Sequence, residues 1–130
     1  MMDNKMICVD GFENVVEGGE TTGFAFLGRL PYYRGLGLSM IEDIAVTVDG
    51  EPVRREDVRF TVHGNRYTLD EMETVYDDRW NFGEKATIGV IRAGGLKPGR
   101  HRIEFAVRMR VSYLPFVPTT KDAKELDLAA

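Results

Sequence analysis

The chain has a single cysteine and two histidines, and its serines are Ser39 and Ser112. One cysteine cannot form an internal disulfide, which is typical of a reducing compartment and favours a cytoplasmic protein. The histidines, His63 and His101, stand outside any HxH, CxxC or HExxH spacing, so the sequence predicts no zinc site. Neither serine lies in a GxSxG turn, and a hydrolase nucleophile of that kind is therefore not expected.

Long apolar runs and an excess of positive charge are missing too. No stretch approaches the roughly 20 apolar residues of a membrane helix, and the opening MMDNKMICVDGF lacks the apolar core of a signal peptide. We therefore expect no membrane association. The formal net charge of −4 argues against nucleic acid as a partner. Cys8 lies between Ile7 and Val9 and is expected to be a buried, inert thiol.

What the chain does contain is alternation of apolar and polar residues. The stretch RIEFAVRMRVSY, residues 102–113, is charged or small at its even positions. Its odd positions are apolar: Ile103, Phe105, Val107, Met109, Val111 and Tyr113. Period-two alternation indicates a half-buried β-strand, and a second layer must cover its apolar face. A chain of 130 residues is long enough for one domain with its own core.

Shorter segments predict the other strands. A small hairpin is expected from residues 6–9 and 12–16, and further strands over residues 22–30, 38–49, 58–62, 66–69 and 86–92. Tight turns are predicted at Asp49-Gly50 and at Gly64-Asn65, the second of type II′ with Gly64 at its first central position. Glu42 falls on the apolar side of its strand. Either a bulge shifts the register there, or this carboxylate points at something that needs it.

About eight short strands separated by turn signals predict an all-β fold, an antiparallel β-sandwich or jelly-roll-like barrel. We expect residues 1–130 to form one such domain. Residues 114–130 are expected to be an extended C-terminal tail, because Pro115 and Pro118 cannot donate to a ladder. The charged residues 121–130 are expected to form at most one helical turn.

Two loops stand out as candidate contact surfaces. The first carries Tyr32, Tyr33 and Arg34 between a proline and two glycines. The second, residues 70–85, is long and acidic and includes Asp78, Arg79 and Trp80. Tyrosine, tryptophan and arginine are enriched where one surface binds another, and long loops are often functional. A structural interpretation remains open for both loops, with the tyrosines as core filler and one aromatic residue as an anchor.

The sequence contains few candidate catalytic residues. Asp77-Asp78 or Glu42 could flank a sugar, as glycoside hydrolysis requires, but acidic residues are common throughout the chain. Cys8 has no evident activating partner, and no glycine-rich phosphate loop occurs. Two aromatic and charged loops on a β scaffold suit a binding partner or accessory subunit better than a self-sufficient enzyme.

Five stretches of the sequence resemble the small β subunit of bacterial C-glycoside deglycosidases. They are LPYYRGLGLSMIEDIAVTVDGE (30–51), FTVHGNRYTLDEM (60–72), DDRWNFGEKATI (77–88), GGLKPGRH (94–101) and SYLPFVPTTKDAKEL (112–126). The resemblance implies a larger α subunit with a TIM-barrel fold that holds a divalent metal, Mn²⁺ or a similar ion, while this chain holds none. It implies cleavage of the carbon–carbon bond between a 3-keto sugar and an aromatic, flavonoid-like aglycone by elimination.

On this resemblance the chain is a non-catalytic subunit of a carbon–carbon lyase complex, without activity alone. Tyr32, Tyr33, Arg34, Asp78, Arg79 and Trp80 are then expected to contact substrate or partner. Two other functions remain open. The chain could be a stand-alone carbohydrate-binding sandwich with Trp80 and the tyrosines as a sugar platform. It could also be a self-contained glycosidase that uses Asp77 or Asp78.

Overall fold

A computed structural model describes residues 6–8, 11–29, 36–75, 78–80, 84–109 and 119–128. Within these ranges the chain forms eleven β-strands, one short helix and single 3₁₀ turns at Leu38–Met40 and Arg55–Asp57. The elements are β1 (Glu13–Glu17), β2 (Glu20–Arg29), β3 (Leu36–Gly37), β4 (Ile41–Val48), β5 (Glu51–Pro52), β6 (Val58–Val62), β7 (Asn65–Thr68), α1 (Leu69–Met72), β8 (Arg79–Trp80), β9 (Lys85–Ile91), β10 (Gly99–Met109) and β11 (Thr119–Leu128). No helix in this part of the chain has the length and apolar character that crossing a membrane requires.

The strands form two main antiparallel sheets. One has five strands in the order β1-β2-β9-β6-β7, and the other has four in the order β11-β10-β4-β5. A separate two-stranded ribbon consists of β3 and β8. The predicted all-β sandwich is confirmed, because the buried faces of both main sheets contribute to one hydrophobic core.

The long strand that the alternation predicted is β10. Ile103, Phe105, Val107 and Met109 are all buried, as expected for one face of a strand. Phe105 reaches across the sandwich and meets Phe26 of β2 edge to face, with ring centroids 5.4 Å apart. Val111 and Tyr113, the last two positions of the predicted strand, lie outside the described residues.

Glu42 lies at a β-bulge. A bulge was one of the two explanations that the sequence left open for the position of Glu42 on the apolar side of its strand. Arg108 of β10 pairs with Asp43 of β4, but the next residue, Met109, pairs with Ile41, so Glu42 is the extra residue on β4. The shift lets both Ile41 and Ile44 point into the core. The carboxylate of Glu42 turns outward and lies 3.7 Å from the guanidinium of Arg108.

The β6–β7 hairpin turns one residue earlier than the sequence predicted. Val62 pairs with Asn65, so His63 and Gly64 are the two central residues. Both have positive φ, 53° and 80°, which is the type I′ pattern and not type II′. The other predicted turn, Asp49-Gly50, is confirmed with φ of 50° and 84°, and its short return strand β5 begins at once, at Glu51.

The N-terminal segment does not fold into the predicted hairpin. β1 pairs with β2 instead, and Ile7 forms an isolated bridge with Gly28 further along the same edge of β2. Gly11, between the two pieces, has φ of 83° and leaves no room for a side chain beside Leu27. The chain therefore bends there and returns to the same strand.

The C-terminal residues differ most from prediction. Residues 119–128 are not a helical turn but the ten-residue strand β11, which pairs with β10 along its length. Two charged side chains of β11 form hydrogen bonds to the N-terminal segment. Asp122 accepts a hydrogen bond from the Ile7 N–H (2.9 Å), and the Lys124 ammonium donates to the Ile7 carbonyl (2.6 Å). Leu126 and Leu128 follow on the same face and are buried.

Candidate functional site

The β3–β8 ribbon joins the two loops that the sequence singled out. Leu36 pairs with Trp80 and Gly37 with Arg79, and the Leu38 N–H donates to the Asp78 carbonyl at 3.1 Å. Tyr32, Tyr33 and Arg34 lie outside the described residues, but β3 begins two positions after Arg34 in the sequence. The end of the first loop is thus hydrogen-bonded to the second loop.

Trp80 is a core residue. Its side chain is fully buried, its ring meets Phe60 edge to face at a centroid distance of 5.0 Å, and its indole N–H donates to the Glu84 carbonyl at 2.9 Å. This burial corrects the expectation that the ring contacts substrate or partner, because no part of it is exposed. The structural interpretation of the second loop, with one aromatic anchor, describes Trp80 correctly.

Asp78 and Arg79 remain on the surface of the ribbon, with Arg79 exposed and Asp78 half-buried. The Asp78 carboxylate accepts hydrogen bonds from the Tyr67 hydroxyl (2.9 Å) and from the Arg79 N–H (2.9 Å). Its partial burial opposes ionisation, but hydrogen bonds from His63, Tyr67 and the Arg79 backbone outweigh burial and lower the pKa of Asp78. Asp78 is therefore held as a carboxylate, and its predicted contact role, like that of Arg79, stays a prediction.

His63 lies between two carboxylates, an arrangement that the sequence did not predict. Nδ1 is 2.7 Å from Oδ1 of Asp78, and Nε2 is 2.7 Å from Oε2 of Glu84. The hydrogen bonds to Asp78 and then to Glu84 raise the pKa of His63 above its ordinary value. We refer to His63, Asp78 and Glu84 as the His63 bridge. It ties the β6–β7 turn to residues on both sides of β8.

The residues of the His63 bridge do not suit a metal ion. A metal-ligating histidine must offer a ring lone pair, and both ring nitrogens of His63 already lie within hydrogen-bond distance of carboxylate oxygens. In the described part of the chain, no three His, Cys, Asp or Glu side chains are grouped as metal ligands would be. Cys8 is buried, as predicted.

Arg55 holds the beginning of the acidic loop. Its guanidinium contacts Asp43 of β4 and reaches Asp70 (3.2 Å) and Glu73 (3.5 Å) at α1. α1 itself starts with a capping box, in which the Thr68 hydroxyl accepts from the Glu71 N–H and Glu71 accepts from the Thr68 N–H. Arg55 therefore fixes the beginning of the loop at Asp70 and Glu73, and the His63 bridge fixes its second half at Asp78 and Glu84.

The family model and the individual relatives that match this chain indicate the same protein family. The model of the C-glycoside deglycosidase beta subunit family matches residues 2–113. The chain is 35% identical over 127 residues to a C-glycoside deglycosidase beta subunit of Eubacterium cellulosolvens, covering 97% of this chain and 85% of that protein. It is 36% identical over 110 residues to a 3'-dehydrocarminate deglycosidase beta subunit of a Microbacterium species, covering 83% and 81% of the two chains.

A third relative is a C-glycoside deglycosidase beta subunit of Arthrobacter globiformis, 31% identical over 98 residues, which cover 74% of each chain. These alignments span most of each protein, so the likeness concerns the whole fold and not one motif. On the family match and on the length of these alignments, the chain belongs to the C-glycoside deglycosidase beta subunit family.

Proposed function

We propose that this chain is the non-catalytic β subunit of a heteromeric carbon–carbon lyase. Its larger partner is a metal-dependent TIM-barrel subunit that holds Mn²⁺ or a similar divalent ion. The complex cleaves the bond between a 3-keto sugar and an aromatic, flavonoid-like aglycone by elimination, in the cytoplasm. The observation that carries the proposal is the family match over residues 2–113.

The hydrogen bonds of the acid–base side chains near the β3–β8 ribbon favour a structural role for this chain and not a catalytic one. Among the described residues there, the acid–base side chains of His63, Asp78 and Tyr67 hydrogen-bond to one another or to Glu84. A general base needs a lone pair free to take a proton from substrate, and the ring of His63 has none while it donates twice. The groups hold the ribbon in place, and the ribbon and its loops cover the rim of the partner's active site, where they exclude water.

Neither alternative function gains support from this geometry. A carbohydrate-binding module stacks sugars on an exposed aromatic ring, and Trp80, one of the residues proposed for that platform, is buried. The others, Tyr32 and Tyr33, lie outside the described residues. A glycosidase acid needs a raised pKa, whereas the pKa of Asp78 is lowered. Asp77 lies outside the described residues.

Co-expression with a TIM-barrel protein encoded beside this chain tests the proposal. We expect the two proteins to co-purify, and cleavage of a 3-keto C-glycoside to require both chains and a divalent metal. Exposed Arg79 provides a site variant, and Arg79→Ala is expected to weaken co-purification while leaving the melting temperature of the isolated chain unchanged. Sugar cleavage by the isolated chain, or a metal ion bound tightly to it, would overturn the proposal.

A further inference from the structure

Both histidines of this protein face hydrogen-bond acceptors with both ring nitrogens. His63 faces the carboxylates of Asp78 and Glu84. His101 places Nδ1 2.6 Å from Oδ2 of Asp49 and Nε2 2.6 Å from the Lys97 carbonyl. An ionised carboxylate and a carbonyl can only accept, and neutral imidazole has one N–H. Each arrangement is therefore complete only when the ring carries two protons and a positive charge.

The two histidines hold different parts of the sandwich. His63 is in the β6–β7 turn and bridges to Asp78 before β8 and to Glu84 before β9, so it fixes the ribbon that carries Arg79. His101 is in β10 and fixes the β4–β5 turn and the connection that follows β9. Only His63 touches the proposed contact region.

We propose that the His63 bridge is a pH-sensitive device that holds the β3–β8 ribbon in its contact position only while His63 is protonated. Loss of one proton leaves a ring that can donate to Asp78 or to Glu84 but not to both. The tie between the residues before and after β8 is then broken on one side. The ribbon becomes easier to open, and a partner that binds it meets a less ordered surface.

The direction of the effect follows from the charges around His63. Asp78 and Glu84 face the ring, Tyr67 on β7 shares Asp78, and the nearby Arg66 pairs with Glu17 at 3.3 Å. The two carboxylates raise the pKa of His63, Asp78 first. The bridge is thus fully formed below about 6.5, the ordinary pKa of histidine. It is lost as the pH rises through the higher pKa of the folded state.

The single tryptophan provides a direct readout on the isolated chain. Trp80 is the only tryptophan, it belongs to β8, and its indole N–H donates to the Glu84 carbonyl. We expect its fluorescence to titrate with a midpoint above about 6.5. The amides of Arg79 and Trp80 should exchange with solvent faster above that midpoint, after correction for intrinsic rates.

Three variants separate the His63 bridge from other titrating groups. His63→Asn keeps a residue type that tolerates the positive φ of 53°, and it should abolish the fluorescence titration. Glu84→Gln leaves the backbone partner of Trp80 in place and should shift the midpoint downward. His101→Gln is the matched control, because it removes the other doubly donating histidine and should leave the Trp80 titration unchanged. A titration that persists in His63→Asn, or is absent from the wild type, overturns the inference.

A second measurement concerns the complex and rests on the proposed function. Binding to the co-purified partner, measured across the same pH range, should weaken as His63 loses its proton, and His63→Asn should bind equally weakly throughout. Binding that does not change with pH overturns the role in association and leaves the subunit proposal intact. Failure to bind at every pH overturns the subunit proposal, while the fluorescence titration still tests the His63 bridge.

Discussion

Trp80 shows how a residue type that is typical of interfaces can serve the core instead. Its ring is enclosed beside Phe60 and its N–H is satisfied by the Glu84 carbonyl, so nothing remains for an outside ligand. Tryptophan in an acidic loop gave no sequence signal for burial, because the loop has no periodicity from which a buried side could be inferred. The neighbouring Asp78 and Arg79 stay on the surface.

Trp80→Ala should lower the free energy of unfolding by about 3–5 kcal/mol, the usual loss for a fully buried large aromatic side chain. Urea denaturation of the isolated chain measures it. Val16→Ala is the matched control, because Val16 is 62% exposed and should change stability by no more than about 0.5 kcal/mol. Equal midpoints for the two variants would show that Trp80 is not part of the core in solution.

His63 was the residue that sequence reasoning missed. From the alternation alone, His63 is interpreted as an outward-facing strand residue beside a turn. Its partners lie 15 and 21 positions away, in a loop whose path cannot be predicted from the sequence. The one available signal was its place before glycine in a tight hairpin, since His is among the residues that tolerate positive φ. The hairpin was predicted, but its centre was placed at Gly64-Asn65 and not at His63-Gly64.

At the scale of elements, β2 and β10 approach closely because of a glycine. A side chain at Gly28 would place its Cβ 3.0 Å from the Phe105 ring and 3.3 Å from Ile88. Gly89, in the neighbouring strand β9, has no such constraint, since its nearest contact would be the Cβ of Arg59 at 3.7 Å. A Cβ at Gly28 would thus press on the buried ring of Phe105 across the sandwich, whereas a Cβ at Gly89 would make only ordinary contacts.

Gly28→Ala should therefore destabilise the protein by about 1–3 kcal/mol through overpacking against Phe105. Gly89→Ala should be neutral or raise stability by about 0.5–1 kcal/mol, because glycine weakens a strand interior. Thermal melting of the two variants side by side compares the same chemical change at two sites in adjacent strands. If Gly89→Ala proves the more damaging, the close approach at Gly28 is not what sets the spacing of the sheets.

Strands with regular alternation could be predicted, and strands stabilised by distant partners could not. β10 and the bulge at Glu42 follow from period-two patterns that can be read locally. β11 was missed because prolines precede it and because Asp122 and Lys124 occupy inward positions that usually hold apolar residues. Their inward position makes sense only once Ile7 is beside them. The alternation of Leu126 and Leu128 was the signal for this strand.

At the scale of the whole molecule, the stability of the fold should be highest over an intermediate range of pH and should fall on both the acid and the alkaline side of it. Hydrogen bonds to Asp78 and Asp49 raise the pKa values of His63 and His101, respectively, so their contribution is complete below about 6.5 and is lost as the pH rises through the raised values. The His101 hydrogen bond lowers the pKa of Asp49, and hydrogen bonds outweigh burial to lower that of Asp78. Their contribution is present above about 3.9 and is lost as the pH falls through the lowered values.

Melting temperatures should therefore be highest between about pH 4 and pH 6.5. Scans at constant ionic strength from about pH 3 to about pH 9 measure the profile. The double variant His63→Asn, His101→Gln should flatten the decline on the alkaline side. It should also make the acid-side decline shallower, because it removes the histidine hydrogen bonds that lower the pKa values of Asp49 and Asp78. A wild-type profile that is level above pH 6 would contradict the double-donor arrangement of both histidines.

The contacts of Ile7 with Asp122 and Lys124 have a consequence for biosynthesis. The bonded residues are 115 and 117 positions apart, so a growing chain cannot make these bonds until residue 124 has left the ribosome. Before that moment the sandwich can pair β2 with β9 but has no β11 to hydrogen-bond with Ile7. A protease that removes β11 would in turn remove the Asp122 and Lys124 contacts of Ile7, at the opposite end of the sequence, and leave that segment held by its bridge to Gly28.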